Sequence, residues 1–353
     1  MEIRIVAALL LACSSGGAYV RAPACAACHP KQHAAHARSG HAGALWRAAE
    51  HPLADSVVGG SGGVRKPNYR FQFLRGDGGV RVRASDGADV VDIPVEWAFG
   101  AGVQAVTFVT RVNEEWYLEH YLSYYPATRQ LAATPGQEAA PADTLQRAMG
   151  VLYKTLDPEA GIVGCFECHS TGPLGTGPGG EIRPAELGVR CEACHGPGEA
   201  HVKAAGRAPM RNSGRMTAAE LNEFCGKCHR PPAAKGVKID WNYAWNVRHQ
   251  PVYLSQSACF RKSNGALSCL SCHDPHGPLR RNDAAYYDAR CGGCHNAKTR
   301  PPKPVCLKRQ PADCADCHMP SVAPQAGLRF TNHWIGLYGE GAKLKPVRPG
   351  RVE

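Results

Sequence analysis

The chain has 353 residues, enough for two or three ordinary domains, but 39 Gly and 27 Pro beside only 7% aromatic residues are lean material for protein-only cores. A formal net charge of +11 and a pI near 8.9 point by themselves to an acidic partner such as nucleic acid or a membrane surface, a reading that the motifs below remove. The apolar run at residues 3–12 is far below the ~20 residues that a membrane-spanning helix needs, which excludes it as a span.

That run, behind Arg4, reads as part of a secretion signal over residues 1–12. Leu10-Leu11-Ala12 before Cys13 resembles a bacterial lipobox, which makes Cys13 a candidate for lipidation; the alternative is a signal cut elsewhere, with Cys13 lost. Either outcome exports the chain. A tether over 14–22 then leads to Cys25-Ala-Ala-Cys28-His29, the first of seven Cys-x-x-Cys-His sequences. The others are Cys165, Cys168, His169; Cys191, Cys194, His195; Cys225, Cys228, His229; Cys269, Cys272, His273; Cys291, Cys294, His295; and Cys314, Cys317, His318.

The motif has a mechanism. Two thiols add to the vinyl groups of a haem as thioethers, and the adjacent histidine becomes the proximal iron ligand. On a helical turn, residues i, i+3 and i+4 share one face, so all three side chains address one porphyrin. Zinc ribbons, redox dithiols and disulfides also use Cys-x-x-Cys, but none of them needs a histidine after each second cysteine. Seven haem c groups are the expected cofactors. Apart from the long first gap, successive motifs begin 22 to 44 residues apart, so neighbouring haems must share space and form much of the core. Their propionates and ferric centres bring the net charge to about +4 oxidised and about −3 reduced. No nucleic-acid role is assigned.

The N-terminal segment, 13–54, continues with an Ala- and His-rich stretch from Pro30 to Glu50 that reads as helix interrupted at Gly40 and Gly43. Over 55–135 cysteine disappears, and Tyr69–Phe73, Val80–Arg83, Val103–Val112 and Glu115–Tyr121 alternate apolar with polar residues between Gly-Asp-Gly and Ser-Asp-Gly breakers. This predicts a small haem-free antiparallel β module of four to six strands, serving either to cover haems or as a docking surface. Residues 141–156 read as helix, with Asp143 or Thr144 as N-cap and Leu145, Met149 and Leu152 on one face. A haem-dense domain spans 136–340 and carries haems 2–7, with a Gly/Pro-rich loop at 171–180 and a capping box at Thr217-Ala-Ala-Glu220. The basic tail, 341–353, is expected to fray. The fold class expected from these elements is mostly α and irregular, haem-packed, with the β module inserted.

Cys259 and Cys306 lie outside the motifs. In an oxidising compartment they are candidates for a disulfide closing a loop around the fifth and sixth motifs; two buried thiols too far apart to bond is the alternative. Nine histidines also lie outside the motifs: His33, His36, His41, His51, His120, His201, His249, His276 and His333. Seven irons need at most seven distal ligands, so complete bis-histidine ligation is within supply.

Ser39-Gly-His-Ala42, Gly196-Pro-Gly-Glu-Ala-His-Val202, Cys272-His-Asp-Pro-His276, Cys317-His-Met-Pro320 and Phe330-Thr-Asn-His-Trp-Ile335 are similar to sequences of exported bacterial multihaem cytochromes of the doubled-CXXCH and tetrahaem-elbow type. The resemblance implies that His41, His201, His276 and His333 are distal ligands of neighbouring haems. His33, His36, His120 and His249 remain further candidates. His33 and His36 lie too close in sequence to His29 to cap the same iron, and Met319, beside a proximal histidine, is a poor ligand.

The first functional expectation is an electron carrier between a quinol-linked donor and a periplasmic or outer-membrane acceptor. It would be periplasmic or at the outer surface, and touch the membrane only through an N-terminal lipid. The second is an oxidoreductase with one five-coordinate haem acting on a small nitrogen or sulfur compound. No Cys-x-x-Cys-Lys motif of the kind that marks related nitrite reductases is present. The third is a subunit of a larger cytochrome assembly.

Overall fold

The computed structural model describes residues 17–62, 69–157, 161–296 and 314–347. The expected signal and lipidation at Cys13, the Cys306 half of the disulfide and the end of the tail therefore lie outside the described residues. Two short helices open the chain, α1 (Arg21–Ala26) and α2 (Pro30–His36), followed by β1 (Leu45–Arg47) and α3 (Ala54–Val57). The β-rich part continues through β2 (Arg70–Gly76), β3 (Gly79–Ser85), β4 (Val90–Pro94), β5 (Trp97–Phe99), β6 (Thr107–Arg111), β7 (Trp116–His120), β8 (Leu122–Tyr125) and β9 (Gln130–Ala133).

Alternation explains the first of these sheets. Phe71 and Phe73 on β2, and Val80, Val82 and Ala84 on β3, point to one face and are buried, while Arg70, Gln72 and Arg83 face outwards. Gly76 pairs with Gly79 across a two-residue turn, and Gly79 has φ +121, a conformation that side-chain-bearing residues rarely adopt. β4 completes a three-stranded meander.

The expectation of a mostly α fold is overturned: about 30% of the structure is helix and 22% strand, in several antiparallel sheets. Segments read as helix or loop supply the difference. The five-stranded sheet runs β1-β5-β6-β7-β10, so it recruits β1 and β10 (Gly150–Lys154) from either side of the expected 55–135 module. The helix expected over 141–156 is confined to α4 (Leu145–Ala148), capped by Thr144, whose side chain accepts from the Arg147 N–H. Gly150 ends it: at φ +152, packed against the backbone of Glu119, it turns the chain into β10, where Gly150 pairs with His120.

Likewise, the Gly/Pro-rich loop at 171–180 is partly a hairpin of β11 (Ser170–Thr176) and β12 (Ile182–Leu187). A register shift between Thr171 and Leu174 accommodates Pro173 without breaking the pairing. In the Pro30–Glu50 stretch, α2 ends at His36 and the chain becomes extended at Leu45.

α5 (Val163–His169) precedes this hairpin and carries the second motif. Its Phe166 is wholly buried with Trp97, Phe99, Tyr117, Ile162 and Ile182, and its ring meets both Trp97 and Phe99 edge to face at 5.1 Å. The second motif is thus welded to the sheet. Beyond β12 the chain becomes a series of short helices: α6 (Cys191–His195), α7 (Glu199–Lys203), α8 (Ala218–His229), α9 (Gln250–Leu254), α10 (Ala258–Lys262), α11 (Ala284–Gly292) and α12 (Cys314–His318). The Thr217/Glu220 capping box is formed at the start of α8, with Leu221 buried on its apolar side. A two-stranded ladder, β13 (Ser321–Val322) and β14 (Phe330–Thr331), packs on α9 through Val252, Tyr253, Val322 and Trp334.

Tyr117 joins the five-stranded sheet to the β11–β12 hairpin: its hydroxyl donates to the Gly180 carbonyl at 3.2 Å and accepts from the Ile182 N–H at 2.9 Å. Tyr117→Phe strands both backbone groups in a buried setting and is expected to destabilise the protein by about 1–3 kcal/mol. A urea unfolding midpoint that does not fall would refute that assignment.

Candidate haem-binding sites

Every motif is wound into a helical turn. His29, His273 and His295 donate their backbone N–H groups to the carbonyls of Cys25, Cys269 and Cys291 at 2.9, 3.0 and 2.8 Å, while the second, third, fourth and seventh motifs lie within α5, α6, α8 and α12. The turn puts both thiols and the imidazole of each motif on one face.

Four motif histidines face a second imidazole. His29 meets His201 with ring centroids 6.4 Å apart, His229 meets His41 at 6.0 Å, His195 meets His276 at 6.1 Å, and His273 meets His333 at 6.2 Å. Two imidazoles bound on opposite sides of one metal, each through a bond of about 2.0 Å, have centroids roughly 6 Å apart. Ordinary aromatic pairs also span 4.5–7 Å, so spacing alone does not decide. Composition does: every pair unites one motif histidine with one non-motif histidine, and the rings come from remote parts of the chain. The donor set and its spacing fit haem iron.

The tautomers fit as well. In His195, His201 and His333, Nδ1 lies 2.9, 2.6 and 2.9 Å from the carbonyls of Arg211, Ala208 and Thr331. A carbonyl can only accept, so Nδ1 carries the proton and Nε2 keeps its lone pair for a metal. His169 and His318 make the same bond, to Ala44 and Gly336 at 3.0 and 2.9 Å. Burial lowers the pKa of His41 and His273, and takes those of His229 and His333 down to about 4. These imidazoles are therefore neutral near pH 7, the form that binds iron. They are set among many protein atoms, and His41 and His229 still expose surface to solvent.

Local sequence holds the distal candidates in place. Asn332, fully buried, donates to the carbonyls of Lys343 and Leu344 and accepts from the Trp334 N–H, while Ser257 donates to the His333 carbonyl and accepts from the Ile335 N–H. His333 is thus clamped from both flanks. His201 rides on α7, and the His276 N–H donates to Asp274.

The remaining candidates divide. His120, a further candidate by sequence, is buried in the β core with Nε2 2.8 Å from Thr110 Oγ1 and belongs to none of the four imidazole pairs: an inward-facing strand position delivers it to the sheet interior. His51 is also engaged at both ring nitrogens, with Gly100 O and Leu53 N. His36 lies near His41, Arg190, His276 and His33, and burial lowers its pKa to about 4. His249 lines a cavity of about 420 Å³ with Lys227, Cys228, His229, Arg230 and Arg248. Burial and the two guanidinium groups hold its pKa down to about 4. Sequence reasoning missed this cationic cluster, whose members are spread over 227–249. Cys259 lies near Cys291 and Cys294.

The thiols record which motifs are neighbours. Cys25 lies beside Cys191, Cys168 beside Cys228, Cys225 beside Cys269, and Cys291 beside Cys314. Cys194 lies beside Cys225, and Cys272 beside Cys291. The motifs therefore adjoin in the order first, third, fourth, fifth, sixth, seventh, with the second branching from the fourth.

Residues 136–196 match the family model "Cytochrome c554 and c-prime". The chain is similar to "Multiheme cytochrome MtrA" of Shewanella baltica (strain OS185), 28% identical over 181 residues, 45% of this chain and 46% of that protein; it thus spans about half the length of the curated relative it matches. Among solved structures, the Outer Cell Wall Cytochrome OcwA matches with a TM-score of 0.51 and 16% identity over 90% of this chain and 79% of that one. The undecaheme cytochrome from the S-layer of Carboxydothermus ferrireducens matches with a TM-score of 0.43 and 16% identity, over 81% and 44% of the two chains. The OcwA likeness bears on the fold alone. Replacing both Cys269 and Cys272 with Ser is expected to remove one covalently held haem per chain; a pyridine haemochrome assay that gives the same haem-to-protein ratio would refute that site.

Proposed function

We propose that the chain is a multihaem c-type cytochrome that carries electrons through seven covalently attached haem c groups, most of them held between two histidines. Haem so held supplies a one-electron iron couple. The observation that carries this reading is the set of four imidazole pairs, each joining a motif histidine to His41, His201, His276 or His333.

The protein's part is to bind, orient and space. The fourteen motif thiols tether the cofactors, and His29, His169, His195, His229, His273, His295 and His318 serve as proximal ligands. Each distal histidine follows a motif other than the one it faces: His201 follows the third and serves the first, His276 follows the fifth and serves the third, His41 follows the first and serves the fourth, and His333 follows the seventh and serves the fifth. Adjacent thiol pairs bring successive sites close together, and the contact order defines a path with ends at the first and seventh motifs and a side branch at the second. Both ligands of a bis-histidine site are imidazoles, so electron exchange needs little rearrangement and no substrate coordination at those four positions.

The proposed partners are redox proteins, with a quinol-linked donor on one side and a periplasmic or outer-surface acceptor on the other. The proposed location is outside the cytoplasmic membrane. Among the described residues no helix is long and apolar enough to cross a membrane.

Electron paramagnetic resonance of the oxidised protein tests the ligation. Predominantly low-spin ferric signals are expected, whereas a dominant high-spin, cyanide-sensitive signal would favour the oxidoreductase reading. In His333→Ala one haem is expected to become high-spin, with the others unchanged; a spectrum identical to the parent would remove His333 from the ligand set.

A further inference from the structure

Glu192 occupies the first variable place of the third motif, Cys191-Glu-Ala-Cys-His195, and is only 2% exposed. Its carboxylate accepts from three backbone N–H groups: Val20 at 3.0 and 3.1 Å to the two oxygens, Arg21 at 2.8 Å and Gly198 at 2.7 Å. Val20 and Arg21 lead directly into α1, which carries Cys25 towards His29, and Gly198 leads into α7, which carries His201. One buried group therefore grips both segments that build the His29–His201 pair.

Two further carboxylates extend the same seam. Glu186 accepts from the Ala22 N–H at 2.9 Å and Glu199 from the Ala18 N–H at 3.2 Å. Arg21 sits at φ +66, a left-handed conformation unusual for a residue with a side chain, so the seam holds the backbone in a shape it would not choose alone. The first and third motifs also touch at Cys25 and Cys191.

Resting on the bis-histidine reading above, we propose that Glu192 is a positioning residue that fixes His201 opposite His29 and holds a negative charge between the first and third haem sites, favouring the oxidised state of both. All its hydrogen-bond donors are neutral amides, which disperse its charge without cancelling it. Little water screens a carboxylate this enclosed, so it acts on nearby redox centres more strongly than a surface charge.

Two substitutions in the haem-loaded protein separate the roles. Glu192→Gln removes the charge and keeps the length: potentiometric titration is expected to move two of seven midpoints upward, by about tenfold in the reduction equilibrium, ~59 mV for a one-electron couple. Glu192→Asp keeps the charge but is one methylene too short to reach both α1 and α7. It is expected to turn part of one low-spin signal high-spin, while the remaining haems keep their parent signals. If the Gln variant loads poorly, selective loss of the haem on Cys25 and Cys28 in peptide mass spectrometry supports the positioning role, and even loss across all motifs counts against it. Full loading with unmoved midpoints in the Gln variant and an unchanged low-spin spectrum in the Asp variant would overturn the proposal. A parent protein carrying fewer than seven haems, or lacking low-spin signals, would instead sink the ligation reading on which it rests.

Discussion

The contact on which the rest of the structure depends is the facing of one motif imidazole by another from a remote stretch of chain. On the proposed reading, a motif alone holds its haem from one side, through bonds local to five residues. The opposite side must come from elsewhere, and in the four pairs it comes from segments beside a different motif. Local helical turns thereby become a long-range network. Past β12 several helices are only five residues long with few buried apolar side chains, as segments whose proposed task is to present ligands need be, while α9 packs into its own small apolar cluster. Such helices would be marginal in isolation.

The β-rich part obeys the ordinary rule instead. Phe71, Phe73, Val82, Phe108 and Leu122 form a protein-only core of the kind that alternating strands bury. The two regimes meet at α5, where Cys165 and Cys168 flank Phe166 and its neighbours. Trp97, Phe99 and Tyr117 come from the sheet, so the second motif's thiols are placed by β packing as much as by their own helical turn. At this junction the sheet packs directly against the helix that carries the second motif.

Much of the site was legible because covalent chemistry fixes its spacing. Cys-x-x-Cys-His cannot vary without losing either a thioether or the iron ligand, and the short sequences around His41, His201, His276 and His333 carry their own turn and capping residues. Other features depend on what a segment meets in space. Leu152 fits a helix face with Leu145 and Met149 by periodicity, but pairing with Leu118 of β7 makes it strand. His120 offered the same imidazole as the true facing residues and went to the core through strand parity. The neighbour order of the motifs is equally three-dimensional, since the first adjoins the third and the second adjoins the fourth. Nothing in the sequence distinguishes Glu192 from any charge in a variable place of a motif, and only the arrival of Val20, Arg21 and Gly198 makes it a buried clamp.

Phe166 carries a consequence for maturation. It lies between Cys165 and Cys168 in sequence, and its ring is sealed beneath Trp97 and Phe99 in the folded molecule. Drawing this pentapeptide away from the molecule would pull the ring out of the sheet core, so it can happen only while that aromatic lock is unmade. On the proposed haem reading, attachment at Cys165 and Cys168 therefore belongs before closure of the sheet, and one phenylalanine sets that order.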